Sequence, residues 1–337
     1  MTRYAADHAQ LGTQEIVVLT DHTDNRRLRL ALHGAALLSY EVNVAGAMQA
    51  AVMQDIADGY RDAAEVASRP GSRFAIMVPF AGRIADARYA FDGQPQDLQP
   101  GVVGVERASR HGFVRDTNFD VTALSAHDNG AQVTLSTNSI RPQPGYPHAI
   151  DLSVTFTLDA GGVTLEVSMR NVGDSAAPCF FGWHPCFRLA ASTVDGWQLQ
   201  IPAQTLIRAD ADLIALSGAA AYVALDDAPA LDFRKPRLLG DSILDHEYTG
   251  LHAEADGRIR TRLRDPASGL GIAVWQERGV MHAFTADTVS RDVRRAIALE
   301  PMECMANAFN RPDCADAIRL LPGVERRFRC GVEVESA

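Results

Sequence analysis

Residues 152–169 constrain the fold more than any other part of the chain. Leu152, Val154, Phe156 and Leu158 alternate with Ser153, Thr155 and Thr157. After Asp159-Ala160-Gly161-Gly162, Val163, Leu165, Val167 and Met169 alternate with Thr164, Glu166 and Ser168. Successive side chains of an extended backbone point to opposite faces, so this is the pattern of a β-hairpin with one buried face. A buried face of that length requires further strands and a second layer to cover it.

The rest of the chain supplies them. Alternation is weak in residues 15–20 and clearer in residues 28–42 around Gly34. Residues 131–137, 258–264 and 270–276 also read as strands, the last two joined by Asp265-Pro266-Ala267-Ser268-Gly269. Phe328, Cys330, Val332 and Val334 continue the pattern on one face of the tail. Residues 54–67 are a candidate helix, but no long 3.6-residue stripe competes with the strands. No Ser/Gly-rich or charged linker divides the chain, and no repeat of solenoid or propeller period is present. The expectation is one all-β domain over residues 1–337, built of packed, largely antiparallel sheets.

Composition narrows the function. A hydrophobic share of 47% against 22% charged residues is globular, which excludes wholesale disorder. No apolar run approaches the roughly 20 residues of a membrane-spanning helix. The formal charge of −10 argues against a nucleic-acid partner, which needs cations to displace counterions. Lys235 is the only lysine, so Schiff-base chemistry would fall on one residue in a polar, exposed-looking loop. Five cysteines (Cys179, Cys186, Cys304, Cys314, Cys330) form no CxxC pair and fit neither a disulfide framework nor a zinc ribbon. With no signal-peptide pattern in residues 1–21, a reducing cytoplasm is the simplest expectation.

Four stretches embed titratable residues in apolar, Gly/Pro-marked sequence. In Val78-Pro79-Phe80-Ala81-Gly82-Arg83-Ile84, Arg83 suits a strand-end salt bridge as well as a site. In His111-Gly112-Phe113-Val114-Arg115-Asp116, a lone histidine before glycine is by itself more often a turn residue than a catalyst. In Phe180-Phe181-Gly182-Trp183-His184-Pro185-Cys186-Phe187, Pro185 drives His184 toward extended backbone. The aromatic surround suits the apolar face of a sugar, though a satisfied core histidine is the plainer alternative. In Ile297-Ala298-Leu299-Glu300-Pro301-Met302-Glu303-Cys304, Glu300 has entered a buried strand that Pro301 is expected to end or bulge. A partly desolvated carboxylate there is a candidate general base, or one half of a structural ion pair.

In this order the stretches resemble the aldose 1-epimerase (mutarotase) family. "PFAGRIADARYAFDG" is similar to its Asn-Arg-Ile segment and following hairpin, and "HGFVRD" to its first histidine motif. "GWHPCFRL" resembles its His-Pro-Tyr-Phe-Asn-Leu motif, "ILDHEYTGL" its Asp-containing sugar loop, and "ALEPMECMANAFN" its Glu-Pro-Met…Asn-Ala-Phe signature. The matches run from Val78 to Asn310. The resemblance implies a β-supersandwich and interconversion of the α and β anomers of a free aldose, without cofactor or metal. Carried over, Glu300 is the general base, His184 the general acid and His111 an assistant at the ring oxygen. Arg83 and Asp245 would hold sugar hydroxyls. The sequence departs at Gly82, where the family usually has Asn, at Cys186 and Arg188 in place of Tyr and Asn, and at Glu303 in place of Thr. Those changes leave the acid and base but put the sugar contacts in question.

Mutarotation opens a cyclic hemiacetal, rotates the aldehyde about C1–C2 and recloses it on the other face. A proton leaves the C1 hydroxyl while another reaches the ring oxygen, so a carboxylate and an imidazolium on opposite sides of C1 suit it. His111 and His184 have no HxH or HExxH spacing that would favour a metal site. A glycosidase would need paired carboxylates, where the motifs offer one carboxylate and two histidines. A non-catalytic sugar binder would need no acid–base pair. A sugar-phosphate 1-epimerase would use Arg188 or Arg115 on the phosphate, but arginine is this chain's default cation. Among the remaining histidines, His246 adjoins Asp245 and His282 precedes the Glu300 segment, which sets both apart. The expected partner is a monosaccharide, with no nucleic acid and no membrane, and the expected assembly a monomer or homodimer.

Overall fold

A computed structural model describes residues 2–45, 51–103, 107–190 and 192–335. The hairpin forms as the alternation dictates: Ile150–Asp159 pairs antiparallel with Gly162–Asn171, and the apolar positions of both strands are buried. Gly162 closes its turn at φ 124°, where an added Cβ would lie 2.2 Å from the Val332 carbonyl oxygen, so only glycine fits.

That hairpin lies in a nine-stranded sheet. Asp120–His127 and Gly130–Ile140 extend it on one side. Glu325–Glu335, Gly271–Gln276, Ile259–Arg264, Gln198–Gln200 and Arg237–Leu238 follow on the other. A second sheet runs in the order Tyr222–Ala224, Thr205–Ile207, Asp245–Thr249, Val280–Phe284, Ile297–Met302, Gly182–Trp183, Ile76–Met77. Cys186–Phe187 also pairs with Ile297–Met302. An N-terminal sheet comprises Tyr4–Leu11, Gln14–Asp21, Arg26–Ala31, Leu37–Ala45 and Ala51–Asp55. Every pairing in these three sheets is antiparallel, and the fold is an all-β supersandwich. The large and second sheets meet where Phe156 packs on Trp183, with ring centroids 6.5 Å apart. One apolar cluster extends from Tyr4 to Val332.

Residues 54–67 depart from the helix reading. Ala51–Asp55 is a strand, and helix is confined to Ala63–Ser68, capped by the Asp62 carboxylate accepting from the Glu65 N–H. Between them, Ile56 N–H donates to the Tyr40 carbonyl and Asp58 N–H to that of Cys186. Those cross-chain bonds hold the backbone extended until Asp62 can start a helix.

Candidate active site

Ile297–Met302 is buried throughout and lies between two partners in the second sheet. Pro301 does not end it. Toward the 181–187 segment, Leu299 N–H donates to the Pro185 carbonyl and Glu303 N–H to that of Phe181. The donor missing at Pro301 falls between those bonds, where the neighbouring segment is interrupted between Gly182–Trp183 and Cys186–Phe187. The strand therefore passes through its proline without stranding a partner.

Register then assembles the site. Ile207 pairs with Glu247, Glu247 with His282, and His282 with Glu300. The bracketing pairs Gly182–Met302 and Cys186–Ala298 set His184 opposite Glu300. Cross-strand partners share a face, and Asp245 shares that of Glu247 two residues on. One sheet face thus carries Asp245, Glu247, His282, Glu300 and His184.

Two loops wall this face. His111 sits at φ 60° and its N–H donates to the Gly82 carbonyl, while Phe113 N–H donates to that of Val78. At Gly112 an added Cβ would lie 2.1 Å from the Val78 carbonyl oxygen, so the two loops touch through glycine. The His111 ring consequently meets His184 edge-on, with centroids 5.4 Å apart. Arg83–Ala85 pairs with Ala108–Arg110 so that Arg83 and Arg110 are direct partners. All five sequence-derived residues, Arg83, His111, His184, Asp245 and Glu300, line one open cleft of about 720 Å³.

The contacts inside it are short. His184 Nε2 lies 3.3 Å from Glu300 Oε1. His282 Nε2 lies 3.0 Å from Asp245 Oδ1 and 3.9 Å from Glu300 Oε1. Cys186 Sγ is 3.6 Å from His184 Nδ1. Burial pushes the Cys186 thiol up and keeps it protonated, so it can donate to Nδ1 and leave the ring proton on Nε2, facing Glu300. Burial also pushes Glu300 up to about 8, the charge on His282 pulling against it. His184 is driven down to about 3, first by burial and then by His282. His111 is likewise held well below the usual histidine range by burial. His282 goes the other way: burial opposes its charge, but Glu300, Asp245 and Glu247 outweigh it and raise the ring to about 9. Among the described residues, no group of three or more His, Cys, Asp or Glu side chains is arranged to hold a metal ion.

Several expectations change. His184 and Glu300 do not face each other across a gap; they stand side by side. Trp183 is no stacking platform, being fully buried against Phe74 and Phe156. Phe284 is the cleft's aromatic residue among the described ones. Arg188 binds Asp58 at 2.7 Å, and Arg115 donates to the Ser72 hydroxyl at 2.7 Å and to the Arg110 carbonyl. Glu303 pairs with Arg278 at 2.7 Å and accepts from the Phe181 N–H. None of these three lines the cleft, and neither does the exposed Lys235. At Gly82, φ is +65° and an added Cβ would lie 2.5 Å from that of Ala306, so Ala306 takes the room a side chain would need. Arg110 and Glu247 escaped the motif reading; the signal for Glu247 was its spacing of two from Asp245.

A family model described as "Aldose 1-epimerase" matches residues 16–333. Protein YihR of Escherichia coli K12 is 26% identical over 238 residues, 70% of this chain and 71% of that protein. Human galactose mutarotase is 28% identical over 222 residues, 63% of this chain and 62% of that one. The crystal structure of galactose 1-epimerase from Lactobacillus acidophilus superposes with a TM-score of 0.80 over all of both chains, at 15% identity. A GalM/aldose epimerase homologue from C. elegans also scores 0.80, over 99% of this chain and 100% of that one, at 17% identity.

Proposed function

The chain belongs to the aldose 1-epimerase family, and from that premise we propose that it interconverts the α and β anomers of a free aldose by opening and reclosing the ring. The observation that carries this reading is the 3.3 Å contact between His184 and Glu300 on the cleft face. The C1 hydroxyl and the ring oxygen are bonded to the same carbon, so an acid and a base standing side by side can reach both from one edge of the sugar. Glu300 takes the hydroxyl proton and His184 supplies the ring oxygen, and the two exchange roles on closure. The pair needs a single proton between them, and burial of Glu300 keeps one bound through neutral pH. At rest burial favours that proton on Glu300, and the couple reacts when it shifts toward His184 and frees the carboxylate.

His111 backs His184 and assists at the ring oxygen, while Arg83 and Asp245 hold hydroxyls at the wall. Five buried cysteines, none in a disulfide, suit a reducing cytoplasm. Among the described residues, no helix is long and apolar enough to cross a membrane. A second reading, an aldose carrying an anionic group, has one specific support. Arg83 and Arg110 stand beside each other on the cleft wall, where they feel Asp245 and Glu300 through space but form no close ion pair with a carboxylate among the described residues.

The test is a panel of freshly dissolved pure anomers of glucose, galactose and xylose, with glucose 6-phosphate alongside, followed by polarimetry. Relaxation of a neutral aldose well above the uncatalysed rate supports the first reading. A rate confined to the phosphate moves the assignment to the second.

A further inference from the structure

His282 lies between Glu247 on one neighbouring strand and Glu300 on the other, and its Nε2 contacts Asp245 at 3.0 Å and Glu300 at 3.9 Å. The carboxylates Asp245 and Glu247 face it from Asp245–Thr249, with His246 beside them, and Glu300 faces it from Ile297–Met302. His184, His111, Arg83 and Arg110 complete the charged and titratable surroundings in the cleft. Buried carboxylates crowded together cannot all ionise without a cation among them. His184 and His111 are too desolvated to serve, and Arg83 and Arg110 act on Asp245 and Glu300 through space without an ion-pair contact. Among the described residues, His282 is the cationic-capable side chain within ion-pair distance of both Asp245 and Glu300.

We infer that His282 is a positioning residue, the imidazolium counter-charge against which Glu300 ionises as base and Asp245 is oriented on the cleft wall. The assignment rests on the epimerase reading of the same site. It adds a cationic histidine that acts through two neighbours rather than on the sugar, and it gives the cleft a resident positive charge whether or not substrate is bound.

Histidine ring and glutamate side-chain carbon signals, observed by NMR in the unliganded protein and in His282→Gln, test it without any turnover. The His282 ring, identified by its absence in the variant, should stay protonated through neutral pH and titrate near 9. In His282→Gln the Glu300 titration should rise by about one unit or more, the effect of losing an opposite charge within ~4–6 Å. The alkaline limb of the mutarotation rate should move up by the same amount. A role in packing alone would lower the rate evenly at every pH. A His282 ring titrating near the ordinary value of about 6.5 overturns the inference, as does an unmoved Glu300 titration in a folded variant. If the variant does not fold, the wild-type ring titration decides. A wild-type protein that relaxes no aldose defeats the epimerase reading instead, and the titrations still judge His282.

Discussion

Glu300 is buried, with 3% of its surface exposed, so its contacts and not solvent set its proton affinity. Glu300→Gln keeps the shape but cannot accept a proton, and kcat should fall at least about 10²-fold. His184→Asn should do the same, and the double variant should be only slightly worse, because two groups acting as a unit are not additive. Anomer relaxation followed by polarimetry checks all three, and near-wild-type kcat in Glu300→Gln would remove the proposed base. The pH dependence has a definite sign. A carboxyl raised to about 8 keeps its proton through neutrality and loses it above. The reaction needs one proton in the Glu300–His184 couple, so the rate should hold across neutral pH and decline as pH rises through about 8. A rate that climbs through that range would mean that the couple is active only when empty.

At the scale of elements, three short segments decide where these groups stand. The His111 loop rests on the Val78 loop through Gly112, where a methyl group would collide with backbone. Gly112→Ala should cost about 1–3 kcal/mol, as an intolerable close contact and a positive φ combine, and should reduce kcat by displacing His111. Thermal unfolding and polarimetry on one preparation measure both. Gly182–Trp183 contributes to the core and not to sugar contact. Trp183→Ala should therefore destabilise by about 3–5 kcal/mol, while Trp183→Phe should leave KM unchanged. A large rise in KM with Phe would restore the ring to the substrate side. The motif around His184 stood out as a candidate because a titratable residue is embedded in so apolar a run. The role of its aromatics was not, since one composition serves a core and a sugar platform alike.

Over the whole molecule, the charge of −10 sets the long-range field and Arg83 with Arg110 the local one. The net field disfavours approach of an anionic substrate, and salt screens it. A neutral hexose should therefore show the higher kcat/KM, and any activity on glucose 6-phosphate should rise with moderate salt if the net charge governs approach. A phosphorylated sugar relaxing faster than glucose, with a rate that salt depresses, would show that the two arginines outweigh the rest of the surface.

Alternation of apolar and polar residues was enough to define the long hairpin, several of the longer strands and the all-β class, because period two is a local property of extended backbone and survives in any context. Residue motifs also sufficed to single out Glu300, His184, His111, Arg83 and Asp245. What the linear chain did not contain was register. Glu247, His282, Glu300 and His184 are separated by tens of residues, and they share a face only because adjacent strands pair one particular way. Pairing also decided that Pro301 lies inside a continuous strand, that Trp183 is core and that Arg188 belongs to Asp58. Proton affinity followed from the same source: burial and neighbouring charge, which exist only in the folded chain, push His184 below the usual histidine range and raise His282 above it.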